Sequence, residues 1–201
     1  MSASNVSART FSLLESKYYV HSEAKWVAEI PGDWDEIRSY EESGRNPLEV
    51  RADLMPYASA ESNAKQNGVQ ATFNNNEAGP LPGDTNAVAE ARTTLIFSPN
   101  FAGTGGTINF NFNISTYCFS GVTLSHVVTG AILFNKVFRV EDFSNSGSEE
   151  FNYDGWSQGE QYKLEIWAQG SDSLPTDGSA SLNHDIRFAR PAPSILTVEI
   201  H

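Results

Sequence analysis

The chain has 201 residues, with 13 Lys and Arg against 25 Asp and Glu, a net charge of −12 and an isoelectric point near 4.6. That balance excludes a nucleic-acid partner and disfavours an anionic membrane surface, because both need clustered cations. A lone cysteine, Cys118, excludes an internal disulfide, and no apolar run reaches the roughly 18 residues of a membrane-inserted helix.

Residues 1–8 are small and polar and read as a flexible tail. No secretory signal is visible in them. Either the protein stays inside the cell or a leader has been removed, and both alternatives stay open. Residues 17–30 then alternate, with Tyr18, Val20, Ser22, Ala24 and Trp26 on one side and Tyr19, His21, Glu23 and Lys25 on the other. Such alternation predicts one long antiparallel strand, ended by Pro31 and Gly32. Across residues 33–43, Trp34, Ile37 and Tyr40 recur at spacing three among acids, which predicts a short helix capped by Asp33.

Residues 48–54 alternate again and stop before Pro56, and Val69, Ala71 and Phe73 mark a short strand. Residues 74–84 read as a long surface loop rich in turn formers. Residues 87–97 give the next strand, where the small Ala87, Ala89 and Ala91 imply that something bulky packs over them. In residues 107–115, Ile108, Phe110, Phe112 and Ile114 point inward, while Thr107, Asn109, Asn111, Asn113 and Ser115 point outward. Residues 122–134 hold one or two apolar strands, 136–143 another, and 144–148 a turn.

Tyr162, Leu164, Ile166 and Ala168 share one strand face, with Lys163, Glu165 and Trp167 on the other. A polar loop over 170–178 leads to a strand with Ala180, Leu182, Ile186 and Phe188 inward, and residues 195–200 form a last short strand. The sum is an all-β chain: a single antiparallel β-sandwich domain over residues 1–201, jelly-roll-like, with about nine or ten strands and one short helix.

Gly159-Glu160-Gln161-Tyr162-Lys163-Leu164 resembles a segment of bacterial extracellular β-sandwiches, in which a turn glycine precedes a strand with an inward tyrosine. The resemblance implies that the Tyr162 hydroxyl closes a corner of the chain. Alternating strands rich in Ala and Ser, loops rich in Asn and Gly, and Arg190-Pro191-Ala192-Pro193-Ser194 are similar to secreted bacterial β-sandwich proteins of the PEP-CTERM sorting class. The segment lacks that class's Pro-Glu-Pro triplet, its following membrane segment and its basic tail. The resemblance implies an exported, matrix-associated protein.

Exposed aromatics are the first candidates for binding. Tyr19 and Trp167 sit on the polar parity of their strands, and Trp34 and Trp156 sit at turns. Such rings either stack on sugar faces or lie buried under a loop. Alternate strand residues stand about 6.6–7 Å apart, so Asn109, Asn111 and Asn113 make a strip of amides that is either a sugar-hydroxyl binder or a solvated face. The candidate ligand-binding set is therefore Trp167, Asn109, Asn111, Asn113 and Tyr19.

Asp172 and Asp177 are candidate ligands for Ca²⁺, against the plainer reading of an acidic surface, since the spacing is not that of an EF-hand loop. No other cofactor is expected. His184, on an inward parity beside Asp185, reads as a core histidine rather than a catalyst, and Cys118 as a structural thiol. His21, His126 and His201 lack metal spacing, and no H-E-x-x-H, G-x-S-x-G or Walker loop occurs.

The expectation is a non-catalytic, secreted or extracellular protein with a structural, assembly or matrix-association role. Its partners are a neutral polysaccharide or further copies of itself, without nucleic acid or membrane insertion. One alternative is a carbohydrate-active enzyme on a jelly roll, a lyase or glycosidase, which the lack of a strand with several outward basic residues counts against. The other is a virion or filament subunit.

Overall fold

The computed structural model describes residues 10–28, 36–76, 83–103, 106–140, 144–172 and 176–189. Twelve strands occur in them: β1 (Phe11–Ala28), β2 (Glu36–Gly44), β3 (Leu48–Leu54), β4 (Ala58–Lys65), β5 (Gly68–Asn75), β6 (Gly83–Pro99), β7 (Gly106–Ser115), β8 (Cys118–His126), β9 (Ile132–Arg139), β10 (Ser144–Tyr153), β11 (Tyr162–Asp172) and β12 (Asp177–His184). They form two six-stranded sheets, ordered β2-β1-β6-β11-β8-β9 and β10-β7-β12-β5-β4-β3. Every neighbouring pair is antiparallel. The chain passes between the sheets at each step from β5 to β8 and again from β9 to β12. The two sheets stack face to face, with β1 over β3 and β4, β6 over β4 and β5, and β8 over β12 and β7.

Period-two alternation set the inner faces as expected. Tyr162, Leu164, Ile166 and Ala168 of β11 are fully buried, as are Ala180 and Leu182 of β12. Two expectations are corrected. Residues 36–44 are not helical: β2 pairs along its whole length with β1, from Tyr18 opposite Gly44 to Trp26 opposite Glu36. As an edge strand exposed on both faces, β2 has no core to impose an alternation, and its spacing of three was accidental. Asp33 and Trp34 lie outside the described residues.

The strand number is twelve rather than nine or ten. β4 carries inward Ala58, Ala60, Ser62 and Ala64, too small to register as an apolar alternation. β10 occupies the place assigned to a turn, as a polar edge strand paired with β7. The apolar stretch after Cys118 folds back on itself as β8 and β9, with Gly130 at φ 68° in the hairpin turn. The expected tail at 1–8 and the strand at 195–200 lie outside the described residues.

Over the small residues of β6 the expected bulk comes from the second sheet. The Phe73 ring of β5 packs on Gly170, which lies opposite Ala89. Ala60, Ala64 and Ala71 of the second sheet, whose strands β4 and β5 lie over β6, are buried with them. Cα atoms of β1 and β4, and of β4 and β6, come within 8 Å of each other. Stacked sheets ordinarily stand about 10 Å apart. The contact is close enough for side chains of one sheet to bond the backbone of the other. Ser62 Oγ donates to the His21 carbonyl at 2.5 Å and accepts the Glu90 N–H at 3.0 Å, and Thr93 Oγ1 donates to the Lys65 carbonyl at 3.0 Å.

Toward β9 and β10 the filling changes to rings. Phe110 stacks on Phe134 at 5.5 Å, Phe112 on Phe138 at 4.2 Å, and Phe134 meets Phe151 at 5.2 Å. At one end Trp156 is buried against Phe11, Tyr153 and Tyr162, with centroids 5.2, 5.2 and 4.7 Å away, and its Nε1–H donates to the Gly106 carbonyl at 3.0 Å. Tyr162 closes the corner below it: its hydroxyl accepts the Ser157 N–H at 3.1 Å and donates to the Gly155 carbonyl at 3.4 Å.

Two substitutions test this packing. Tyr162→Ala is expected to cost about 3–5 kcal/mol, as for other large aromatic truncations in cores. Tyr162→Phe is expected to cost about 1–3 kcal/mol, because the Ser157 N–H loses its acceptor. Denaturant unfolding measures both, and a loss under about 1 kcal/mol for the alanine variant contradicts the corner. Ala89→Leu is expected to destabilise by about 1–3 kcal/mol through overpacking. An unchanged unfolding midpoint would mean the sheets have room between them.

Candidate functional site

On its outer face the first sheet carries a row of residues in register across all six strands. Ser43 on β2 lies opposite Tyr19 on β1, Tyr19 opposite Arg92 on β6, Arg92 opposite Trp167 on β11, Trp167 opposite Gly121 on β8, and Gly121 opposite Val137 on β9. Adjacent strands stand about 4.8 Å apart, so Tyr19 and Trp167 are separated by about 10 Å with Arg92 between them.

The indole of Trp167 packs on Gly121. A Cβ at that glycine would come within 2.6 Å of Cε2 and Cζ2 and 2.7 Å of Nε1. The missing side chain lets the ring rest against the backbone, and the residue is half-buried. Phe119 and Val137, exposed beside it, extend the apolar surface. Gln169 and Glu165 flank Trp167 along β11. Thr123, opposite Glu165, donates its hydroxyl to Asn135 Oδ1 at 3.2 Å.

Two ion pairs run along strands near the centre of this face, Arg92 with Glu90 at 3.2 Å and Lys163 with Glu165 at 2.9 Å. The Tyr19 phenol is raised above its ordinary value, first by burial and then by Glu90 and Glu41, with Arg92 opposing. It stays a neutral hydroxyl.

Of the five ligand-binding candidates, Tyr19 and Trp167 share this row, while Asn109, Asn111 and Asn113 do not. The asparagines project from β7 on the outer face of the second sheet, on the far side of the sandwich. There Asn113 belongs to a polar row running Ser146, Asn113, Ser181, Gln70, Asn63 and Glu49. Asp185 holds Asn109 by two bonds, from its N–H at 2.9 Å and its Nδ2 at 2.7 Å.

Two shallow depressions mark that face. One of about 540 Å³ is lined by Arg51, Glu61, Thr72 and Ser179, and one of about 360 Å³ by Asn63, Gln70, Ser181 and Asn183. Both linings offer hydrogen bonds but no exposed ring. Trp156, a second aromatic candidate, is a core residue at 1% exposure.

Sequence reading missed Arg92 and Gly121. Gly121 had a signal: a glycine inside an apolar strand marks a close approach. Arg92 had only its outward parity.

Asp172 ends β11 and Asp177 begins β12. Asp172 Oδ2 accepts the Thr176 hydroxyl at 2.8 Å, and its carbonyl accepts Asn75 Nδ2 at 2.8 Å. Among the described residues no group of three or more His, Cys, Asp or Glu gathers as a metal site, and no helix is long and apolar enough to cross a membrane.

His184 is buried, with Nε2–H donating to the Gln66 carbonyl at 2.8 Å and Nδ1 accepting the Ile186 N–H at 3.3 Å. Burial lowers it to about 4, partly offset by the Gln66 carbonyl and Asp185, so it is a neutral core group. The Cys118 thiol, also buried, is pushed up to about 11 by desolvation against a smaller effect of Ser115. At neutral pH it is a structural thiol rather than a nucleophile.

No known protein-family model matches this chain, and no curated protein matches its sequence.

The titration of His184 sets a pH dependence. Its folded value, about 4, lies below the ordinary 6.5, so the unfolded chain takes up the proton first. Stability is expected to fall as pH drops from about 6.5 toward 4, by roughly 3 kcal/mol for this group, and to level off below. His184→Gln keeps a donor for Gln66 and removes the titration. Unfolding curves at pH 7 and pH 4.5 should therefore show a smaller drop in the variant than in the parent, and equal drops refute the assignment.

Proposed function

We propose that this protein is a non-catalytic, exported, matrix-associated sandwich, jelly-roll-like in its winding, that binds a neutral or basic polysaccharide on the outer face of its first sheet. The jelly-roll description rests on the repeated passage of β5 to β8 and β9 to β12 between the sheets. The binding reading rests on Trp167 packed on Gly121 in one row with Arg92 and Tyr19. A pyranose presents an apolar C–H face, which stacks on an indole that already rests against backbone. Gln169 and Thr123, next to the ring, supply donors and acceptors for hydroxyls. Tyr19, about 10 Å along the row, gives a second ring for a further sugar unit.

The net charge of −12 repels acidic polysaccharides, which favours neutral or basic ones. The asparagine strip belongs to a different face and is left out of this site. His184 and Cys118 are buried and held neutral at pH 7, so neither is placed for acid–base or nucleophilic work.

Trp167→Ala is expected to abolish binding on a panel of soluble glycans while shifting the melting temperature by only a few degrees, since the ring lies outside the core. Gly121→Ala is expected to weaken binding by lifting the indole. Calorimetric titration of the best glycan measures both. Undiminished affinity in Trp167→Ala, or a panel without any hit, refutes the site.

A further inference from the structure

We infer that copies of this chain join head to tail through the two open edges of the first sheet, β9 of one copy pairing antiparallel with β2 of the next. The inference does not depend on the sugar site, whose rings Tyr19 and Trp167 stand on interior strands. β2 pairs only with β1, and β9 only with β8, among the described residues. β2 has nine residues and β9 eight, without proline, so each offers a similar row of unpaired backbone groups. Such edges are templates for another strand unless protected. Large apolar side chains stand exposed on both: Ile37 at 54% and Tyr40 at 51% on β2, Ile132 at 64% and Val137 at 43% on β9.

Charge selects the partner. On β2, Glu36 pairs with Arg38 at 2.9 Å, which leaves Glu41 and Glu42 outside any ion pair among the described residues. β9 has Lys136 and Arg139 and no acid. Lys136 reaches Glu149 at 2.9 Å, while Arg139 is exposed and outside any ion pair among the described residues. Pairing β2 with β2, or β9 with β9, sets like charges side by side, which is unfavourable across strands. Pairing β9 with β2 sets cations against acids.

The topology permits it. Six antiparallel strands make β2 and β9 run in opposite directions. A second copy in the same orientation therefore brings its β2 antiparallel to β9, continuing the sheet. Without stagger, the existing rows extend across the junction. The row that holds Glu41, His21, Glu90, Gln169, Phe119 and Arg139 would then bring Arg139 opposite Glu41 of the next copy. Lys136 comes diagonal to Glu42 of that copy. The edges of the second sheet, β3 and β10, both carry more acid than base, so attraction comes from the first sheet alone. A head-to-tail contact of this kind does not close on itself and propagates as a filament.

Sedimentation velocity and electron microscopy of the full chain across a concentration series at low salt test this. The expected result is a ladder of species lengthening with concentration and shortening in high salt. Arg139→Glu and Glu41→Arg should each stop growth, and the double variant Glu41→Arg with Arg139→Glu should restore it. Amide exchange of the unaltered chain gives a second readout, with protection of β2 and β9 rising with concentration. A monomer at every concentration overturns the inference, as does growth that stops at a dimer or single variants that assemble like the parent. Trp167→Ala should assemble normally, which separates failure here from failure of the sugar site.

Discussion

The close approach of the two sheets over alanine and serine is the constraint on which the rest of the sandwich depends. Ala60, Ala64 and Ala71 in one layer and Ala87, Ala89 and Ala91 in the other are all buried, and Phe73 reaches across to Gly170 beside them. The cost of so thin a core is that little apolar area is buried per residue. Hydrogen bonds between the layers offset part of it. Ser22 Oγ lies 2.9 Å from Ser62 Oγ and 3.2 Å from the Val50 carbonyl, so both buried hydroxyls are satisfied by the facing sheet. A buried hydroxyl without a partner would destabilise by about 1–3 kcal/mol. These serines are therefore an inter-sheet seam, placed where the backbones are near enough for one oxygen to reach across.

Because one half is thin, the bulk is concentrated elsewhere. The paired rings of Phe110 with Phe134 and Phe112 with Phe138 fill the space toward β9 and β10. The cluster around Trp156 fills one end, where Phe11 also bridges to the last described segment by accepting the Ala189 N–H at 2.8 Å. The Tyr162 hydroxyl fixes the approach to β11, and His126 braces the same corner from β8. Its Nδ1 accepts the Thr129 N–H at 3.2 Å, its Nε2 reaches Glu160 at 2.8 Å, and its ring stands edge-on to Tyr162. The strand that carries Trp167 is thus anchored at its start by a buried aromatic corner.

Alternation made much of this legible. Where one strand face is buried and the residues are large, as in β7 and β11, the inner face could be read residue by residue, and the tyrosine corner followed from a turn glycine and an inward tyrosine. Where the inner residues are Ala and Ser, as in β4, hydrophobicity carries no contrast and the strand was invisible. Where a strand lies at an edge, as in β2 and β10, no core imposes a period, and the residues read as helix or turn. The site was legible to the same depth. Parity told that Tyr19, Trp167 and the asparagines face outward. It could not tell which sheet each strand joins, because that depends on long-range pairing. The asparagines of β7 and the indole of β11 therefore came out on opposite faces. Gly121 and Arg92 belong to the row only through register, which no local pattern encodes.

Ligand and partner fall to different parts of the first sheet for a mechanical reason. β11 and β8 are interior strands, each bonded on both sides, so Trp167 rests on a backbone that is already fixed before a ligand arrives. Among the described residues β2 and β9 are each paired on one side alone, and each carries exposed apolar side chains, which suits a contact that forms by adding strands. In a head-to-tail array the aromatic rows would recur every six strands, about 29 Å apart along the sheet. Each strand step also turns the sheet by about 20–25°, so successive platforms wind around the array rather than line one side of it. A long polysaccharide that follows this winding engages several platforms at once. The effective concentration at the second platform then raises avidity without any new contact, so a stacking site that is weak on one copy is sufficient on many.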